Sequence, residues 1–415
     1  MNTKEFMKKF SKLFGKSGST RNQLISSSLG IAGVRFSNTI LAFLASVILA
    51  RALGTNDFGV YSFVYALIML LCVPIQQGVA KLVIRETATA ESNKDWNLMR
   101  GLWQWSAYSN LAYSVFILIL VLTFVWFLKN QINEKKAITI MIALLLVPLI
   151  NQISLKSSAL MGLRKVAIGP FPDSVLRPGL FIFFILFVII ILPHTELTPS
   201  NAMGLHVIAA LLAFVASAVL LYRMQPQPLV SHPKPSFKTK MWAKAALPLA
   251  LIAGLQVIST YADIIMLGLL RTSEEVGIYR VVAQSSLLIA FVMQTVGMVA
   301  GPYIARFYSQ KDHHNLQKII TVCTRATFII SLPIALVLSI WGSQVLGLLF
   351  GEVYIKGYTA LIILSTGLLL FNIIGPVGLL LEMTGYEKQA VIRVAFTAIL
   401  NIILNLALIP KFGIN

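Results

Sequence analysis

A guanidinium set among apolar residues is the most chemically telling feature of this sequence. Arg35 lies about midway along the run SSSLGIAGVRFSNTI, and a charge held that far from water is costly unless it meets a polar cavity or a partner. If the run is helical, its period puts Ser28, Arg35, Asn38 and Thr39 on one broad face. A guanidinium on such a face suits an anion, above all a phosphate, which its planar fork can bind through two hydrogen bonds. The alternative is a structural Arg satisfied by a backbone carbonyl or a distant carboxylate. Arg177, just before Pro178, and Arg280, a few residues into another apolar run, are further candidate cations for the same anion, with snorkelling to the interface as the alternative for each. Asp263, in VISTYADIIML, is the one acid that the sequence places deep in an apolar run; it could pair with an Arg, relay a proton or couple a cation. Gln76 and Gln77 follow Pro74, and Asn151 and Gln152 follow Pro148. Amides at such helix breaks either line a polar cavity or bond to neighbouring helices.

Other chemistry has no residues to carry it. There is no phosphate-binding glycine loop, and His194, His206, His232, His313 and His314 form no metal-ligand pattern with Cys or acids. No catalytic group, metal or cofactor is expected. The two cysteines, Cys72 and Cys323, sit within or at the edge of apolar runs and read as inert buried thiols.

The elements that must position these groups follow from composition. The chain is 57% hydrophobic and 12% charged, with mean hydropathy +0.81; soluble domains carry roughly 25% charged residues. Apolar runs long enough for the ~20 residues of a helical span, rather than short alternating segments, indicate an all-α polytopic membrane protein. The runs fall at 24–50, 58–82, 103–128, 137–162, 174–193, 202–222, 246–270, 277–304, 320–346, 357–381 and 390–409, so the chain reads as crossing the bilayer about eleven times. With the N-terminus inside, about 25 of the 34 basic residues fall on the cytoplasmic side. The net charge of +19 is thus an orientation signal rather than a nucleic-acid footprint. The loop at 129–136 is the weakest fit, because Lys129, Lys135 and Lys136 then face outward. The basic tail 1–22 reads either as an amphipathic helix on an anionic leaflet or as a frayed orientation signal.

Shifting the chain by 218 residues lays ARALGTNDFGVYSFVYALI over GLLRTSEEVGIYRVVAQSS, with Gly59 on Gly277, Tyr61 on Tyr279 and Gln76 on Gln294. Six spans separate the copies, so both have the same orientation and constitute a parallel repeat about an axis normal to the membrane. This divides the chain into the tail 1–22, an N-terminal lobe 23–222, a cytoplasmic connector 223–244 and a C-terminal lobe 245–415: two six-helix lobes, with the twelfth helix expected beyond LALIPKFGIN. Two facing lobes are a transporter architecture, with a polar site near the midplane.

The run SVILARALGTNDFGVYSFVYAL resembles the polysaccharide transport family, the Wzx-type O-antigen and capsule-repeat flippases of the multidrug/oligosaccharidyl-lipid/polysaccharide (MOP) exporter superfamily. Ala50, Arg51, Leu53, Gly54, Asp57, Gly59, Tyr61 and Ser62 carry the likeness. The resemblance implies a MATE-like fold and translocation of undecaprenyl-diphosphate-linked oligosaccharide units across a bacterial cytoplasmic membrane by alternating access. A polymerase and a chain-length regulator would act on the product. Arg35, Asn38, Arg177 and Arg280 would hold the diphosphate, Gln76, Gln77, Asn151 and Gln152 would line the cavity, and Asp263 would couple an ion. Gly59 reads as a close-packing position and Tyr61 as an interfacial anchor. A multidrug/cation antiporter of the same superfamily is the first alternative, though it usually needs an acid in the N-terminal lobe and none is read deep in spans one to six. A lipid II flippase, typically two helices longer, is the second. A membrane glycosyltransferase would need acidic catalytic clusters and larger loops.

Overall fold

The computed structural model describes residues 19–127, 133–191, 196–231 and 234–414. The expected amphipathic tail lies almost wholly outside the described residues, as do Lys129, His194 and His232. The described residues contain helices and no strand. In chain order these are α1 (Ser19–Val73), a π-helical turn (Pro74–Val79), α2 (Ala80–Ser92), α3 (Trp96–Phe127), α4 (Glu134–Ala143), α5 (Leu146–Gly162), a second π-turn (Pro172–Leu176), α6 (Arg177–Ile191), α7 (Pro199–Met224), α8 (Gln227–Val230), α9 (Thr239–Leu270), α10 (Ser273–Ser309), α11 (His313–Ile340), α12 (Gly342–Phe350), a 3₁₀ turn (Glu352–Gly357), α13 (Tyr358–Ile374), α14 (Val377–Met383) and α15 (Glu387–Phe412).

Nine helices among the described residues are long and apolar enough to cross a membrane, and Thr239–Leu251 with Gly254–Leu270, bent by 44°, make a tenth. The first of the nine, Gly33–Ser92, is 60 residues long. At ~1.5 Å per residue it would be about three times as long as a bilayer core is thick, so it is not one crossing. Gly54, at φ 71 and ψ 176, breaks it, a conformation that costs glycine little and other residues much. The packing then reveals a reversal. Beyond the break, Phe63, Val73 and Gly78 pack on Gly268, Gly254 and Ala246 in turn, so this limb runs antiparallel to α9 and parallel to α10. Before the break, Phe36 meets Phe291, with ring centroids 5.7 Å apart, while Gly59 meets Ser273 and Gly277. The first limb is therefore antiparallel to α10 and to the second limb. The eleven crossings expected from hydropathy are recovered, the first two joined by a single glycine.

The repeat is visible in the packing. A Cβ on Gly59 would strike the Ser273 carbonyl, and one on Gly277 would strike the Thr55 carbonyl. Because Thr55 and Ser273 are also 218 residues apart, the contact is reciprocal, as it must be where a pseudo-two-fold axis passes between two helices. A second pair lies further along. Lys94 (φ 55) and Lys311 (φ 56) end α2 and α10 in the left-handed conformation. Asp95 Oδ1 then accepts from the Leu98 amide at 3.0 Å, and Asp312 Oδ1 from the Asn315 amide at 3.1 Å. These SNKD and SQKD turns are 217 residues apart, one fewer than the hairpins. The π-turn at Pro74–Val79 lies between hairpin and turn in the first copy, and α10 has no counterpart. A π-bulge holds one extra residue, which accounts for the change of register.

Arg164 (φ 61) ends α5 in the same left-handed way as Lys94 and Lys311. At all three positions the next amide reaches back five residues: Asp95 to Ala90, Lys165 to Leu160, and Asp312 to Phe307. This is the helix-ending motif that glycine normally serves. Basic residues there suit the helix dipole, at a conformational cost of about 1 kcal/mol each. Lys94→Gly, Arg164→Gly and Lys311→Gly are each expected to raise the thermal midpoint of the purified protein; a lower midpoint would contradict the assignment.

Two sequence readings need adjustment. The fourth span is α4 and α5 with a turn at Leu144–Leu145, so the break precedes Pro148 rather than following it. The tenth is broken at Gly375 (φ 89) before Pro376. The connector contains α8 and docks on α3: the Ser236 amide donates to the Asn97 carbonyl at 2.9 Å, and Gly101 leaves no room for a Cβ beside Ser236.

Candidate functional site

Both limbs of α1, the second π-turn, α6, α7, α9 and α10 enclose a cavity of about 410 Å³. The first limb of α1 contributes Asn38, Thr39, Ala42, Ala45, Ser46 and Leu49, a stripe with helical period. The second limb contributes Phe58, Tyr61, Ser62, Tyr65, Met69 and Gln76, and α10 contributes Arg280, Gln284, Leu287, Phe291 and Gln294. Four wall pairs are related by the repeat: Ser62 with Arg280, Ala42 with Thr260, Met69 with Leu287, and Gln76 with Gln294. The two halves thus supply similar surfaces, and a charge stands on only one side of the first pair.

One end of the cavity is sealed by contacts between the halves. Arg51 donates to the carbonyls of Leu348 and, at 2.8 Å, Leu349 at the end of α12. Tyr354 donates to the Ala50 carbonyl at 3.0 Å, and Gly59 and Gly277 abut beside them. Much of the motif RALGTNDFGVYS is explained here: Arg51 caps a helix across the interface, Gly54 turns the chain, Gly59 lets two backbones touch, and Ser62 faces the cavity.

The charged groups on the wall are unequal. Arg177 is turned inward, its side chain only 13% exposed, and Nε donates to Asp173 Oδ1 at 2.9 Å. Its Nη1 lies 3.0 Å from His206 Nε2, and His206 Nδ1 lies 2.8 Å from Tyr61 Oη. Tyr61, Tyr65, Phe181 and His206 stack nearly parallel, with Phe181 and His206 centroids 4.3 Å apart. The π-turn, which begins at Pro172, places Asp173 one turn ahead of Arg177. Arg280 has no hydrogen-bond or ion-pair partner among the described residues. Asp173 is the only acid among the residues bounding the cavity; it offsets Arg177 and leaves Arg280 as the surplus cation.

Of the residues singled out from sequence, Asn38, Arg177, Arg280 and Gln76 line this cavity. Arg177 does not snorkel, because Asp173 and His206 hold it inward. Arg35 is outside the wall: it continues the stripe of Asn38, Thr39 and Ala42 one turn toward the N-terminus, and it is exposed. Gln77 is half-buried off the wall, because the neighbouring Gln76 takes the inward position. Asn151 is fully buried away from the cavity, without a hydrogen bond from either side-chain atom. Gln152 binds the Ala107 carbonyl at 3.5 Å and Lys156 Nζ at 3.3 Å inside the N-terminal half. Asp263 also lies off the wall: Tyr279, Asn401 and Asn405 donate to it at 2.7, 2.9 and 2.7 Å. Tyr61 is 5% exposed and serves as a buried partner of His206, not an interfacial anchor. Sequence reasoning misses Asp173, His206, Tyr65, Tyr261 and Gln284. Asp173 stands one residue before the fifth span as read from the sequence, and its only sequence signal is its position four residues before Arg177. Cys72 and Cys323 are free and buried, as expected.

A helical membrane protein with a polar, cationic cavity between two repeat-related halves has the architecture of a transporter or flippase. The sequence pattern of the polysaccharide biosynthesis protein family matches residues 25–308, and that of the MatE family matches residues 248–407. The chain belongs to the polysaccharide biosynthesis protein family. It is 21% identical over 155 residues to the probable low-salt glycan biosynthesis flippase Agl15 of Haloferax volcanii, a match spanning 37% of this chain and only 33% of that relative's length. Its fold is similar to that of the lipid II flippase MurJ in an inward closed conformation (TM-score 0.73, 13% identity, 92% of this chain and 82% of that one). It is also similar to an inward-facing MATE family multidrug transporter (TM-score 0.66, 15% identity, 92% and 89%).

Proposed function

We propose that the chain carries an anionic lipid-linked oligosaccharide across a bacterial cytoplasmic membrane, with undecaprenyl diphosphate as the lipid carrier. The observation that carries this reading is the cavity wall, where Arg280, with no hydrogen-bond or ion-pair partner among the described residues, is joined by the amides of Gln76, Gln284 and Gln294 and by the rings of Tyr65 and Tyr261. A guanidinium suits a phosphate group. Amides and aromatic faces suit sugar hydroxyls and the apolar faces of sugar rings, and the polyprenyl tail can stay in lipid. With the N-terminus cytoplasmic, the end sealed by Arg51 and Gly59 is the outer one, and the substrate enters from the cytoplasmic side. A polymerase and a chain-length regulator would act on the unit once outside. Asp263, held by three neutral donors and paired with no cation among the described residues, is our candidate for coupling transport to an ion or proton.

Deleting the gene in its own host and fractionating the lipid-linked sugars tests this reading. Repeat units should accumulate on the cytoplasmic leaflet while surface polysaccharide is lost. An Asp263→Asn complement should restore protein but not export driven by an imposed ion gradient. Unchanged surface polysaccharide in the deletion strain would refute the assignment.

A further inference from the structure

The residues that hold Arg177 impose a protonation state on His206. A guanidinium has donors and no acceptor, so its Nη1, 3.0 Å from His206 Nε2, requires that nitrogen to be bare. The single proton of the neutral ring then sits on Nδ1 and donates to Tyr61 Oη, 2.8 Å away. The ring is 4% exposed on the cavity wall, with Phe181 stacked on it at 4.3 Å, so it has little freedom to swing aside. Protonating Nε2 would set N–H against N–H and cation against cation. A charged His206 and the present position of Arg177 exclude one another.

We infer that His206 is a proton-binding site linked to the anion site: a proton arriving at Nε2 from the cavity expels Arg177 Nη1 and frees that guanidinium for the cargo's anionic group. The Nε2–H bond forms, and the hydrogen bond from Nη1–H to Nε2 breaks. Arg177 also gives up its hydrogen bond to Asp173, the only acid among the residues bounding the cavity. The wall then presents two available cations where it had only Arg280. Anion binding and protonation favour each other, and by linkage each raises the affinity for the other by the same factor. The cargo would load with proton uptake and leave with proton release.

The other groups near His206 do not substitute for this role. Tyr61 and Tyr65 face it from α1, where Cys72 lies near Arg177 and Asp173, and Tyr261 and Arg280 line the cavity from α9 and α10. On α4, Lys136 sits over the Phe63 ring at 5.5 Å, and on α5, Lys156 sits over Phe214 at 5.0 Å, two turns further along α7. Tyr65 is itself hydrogen-bonded to Arg177, its hydroxyl accepting from the guanidinium; none of the other groups named here places an acceptor against Arg177.

The inference rests on the anion-binding reading of the cavity only for its second half, and two measurements separate them. The first needs no cargo. In ¹³C/¹⁵N histidine spectra of the full chain in nanodiscs, the resonance that disappears in His206→Gln should report the Nδ1–H tautomer. Its protonation midpoint should rise by about one pH unit or more in Arg177→Gln, as expected for removing an adjacent charge. An Nε2–H tautomer, or a midpoint indifferent to Arg177, would overturn the proton site whatever the cargo. The second is calorimetry with a short-chain prenyl-diphosphate-linked N-acetylglucosamine, a diester whose own charges do not titrate near neutrality, in buffers of differing ionisation enthalpy. Wild type should take up close to one proton per bound probe within the histidine range of about pH 5 to 8. His206→Gln, whose side-chain oxygen can still accept from Arg177, should bind with no uptake. Binding without uptake by wild type would refute the linkage. Failure of the probe to bind would refute the anion-binding reading and leave the spectroscopic result to judge the proton site.

Discussion

On the proposed function, Arg280→Ala is expected to abolish export of the lipid-linked glycan while leaving membrane insertion and folding intact. The guanidinium stands on the cavity wall with no partner among the described residues, so removing it breaks no internal hydrogen bond and leaves no buried charge uncompensated. A charge-assisted hydrogen bond to an anion contributes about 2–3 kcal/mol, so affinity for a diphosphate-bearing probe should fall by a factor of about 30 to 150. Arg280→Lys keeps the charge but loses the two-pronged geometry and should recover part of the binding and export. Ser62 holds the repeat-related position across the cavity, so Ser62→Arg with Arg280→Ser moves the cation to the other half; partial rescue would tie function to the cavity's charge. Binding by Arg280→Ala indistinguishable from wild type at matched protein levels would remove Arg280 from the cargo site.

The second large effect is expected at Gly59. Its Cα approaches the Ser273 carbonyl so closely that even a methyl group has no place, and Gly277 stands in the same relation to Thr55. Gly59→Ala must force α1 and α10 apart at the seal of the cavity, with an overpacking cost of about 3 kcal/mol or more. The hydrogen bonds from Arg51 to Leu349 and from Tyr354 to Ala50 would be stretched with it. A lower thermal midpoint and loss of export are expected together. Gly204→Ala and Gly367→Ala are the controls, because a Cβ at either meets open space, and alanine in a helix gains up to about 1 kcal/mol over glycine. If Gly59→Ala proves no more damaging than these, the close approach at Gly59 is not what closes this end of the cavity.

Membrane insertion, the number of crossings and the two-fold repeat were legible in the sequence because each is a property of long averages. Twenty apolar residues satisfy a bilayer whatever their order, and a repeat survives in the spacing of a few residues such as Gly59 and Gly277. Arg177 and Arg280 were legible as candidate cations because charge within an apolar run is conspicuous. The membership of the cavity was decided by tertiary structure. Arg35 is the most conspicuous charge in the chain and shares a helical stripe with Asn38 and Thr39, yet the cavity ends one turn short of it, since helical period specifies a face and not how far a cavity extends along it. Asp173 and His206 have no meaning in sequence, because their roles come from Arg177, which reaches Asp173 across a π-turn and His206 across two helices. Gln76 and Gln77 are identical in chemistry and adjacent in the chain, and the local winding after Pro74 turns only Gln76 to the cavity. The apolar pattern specified which segments enter the bilayer, and the packing of helix on helix decided which polar groups meet inside it.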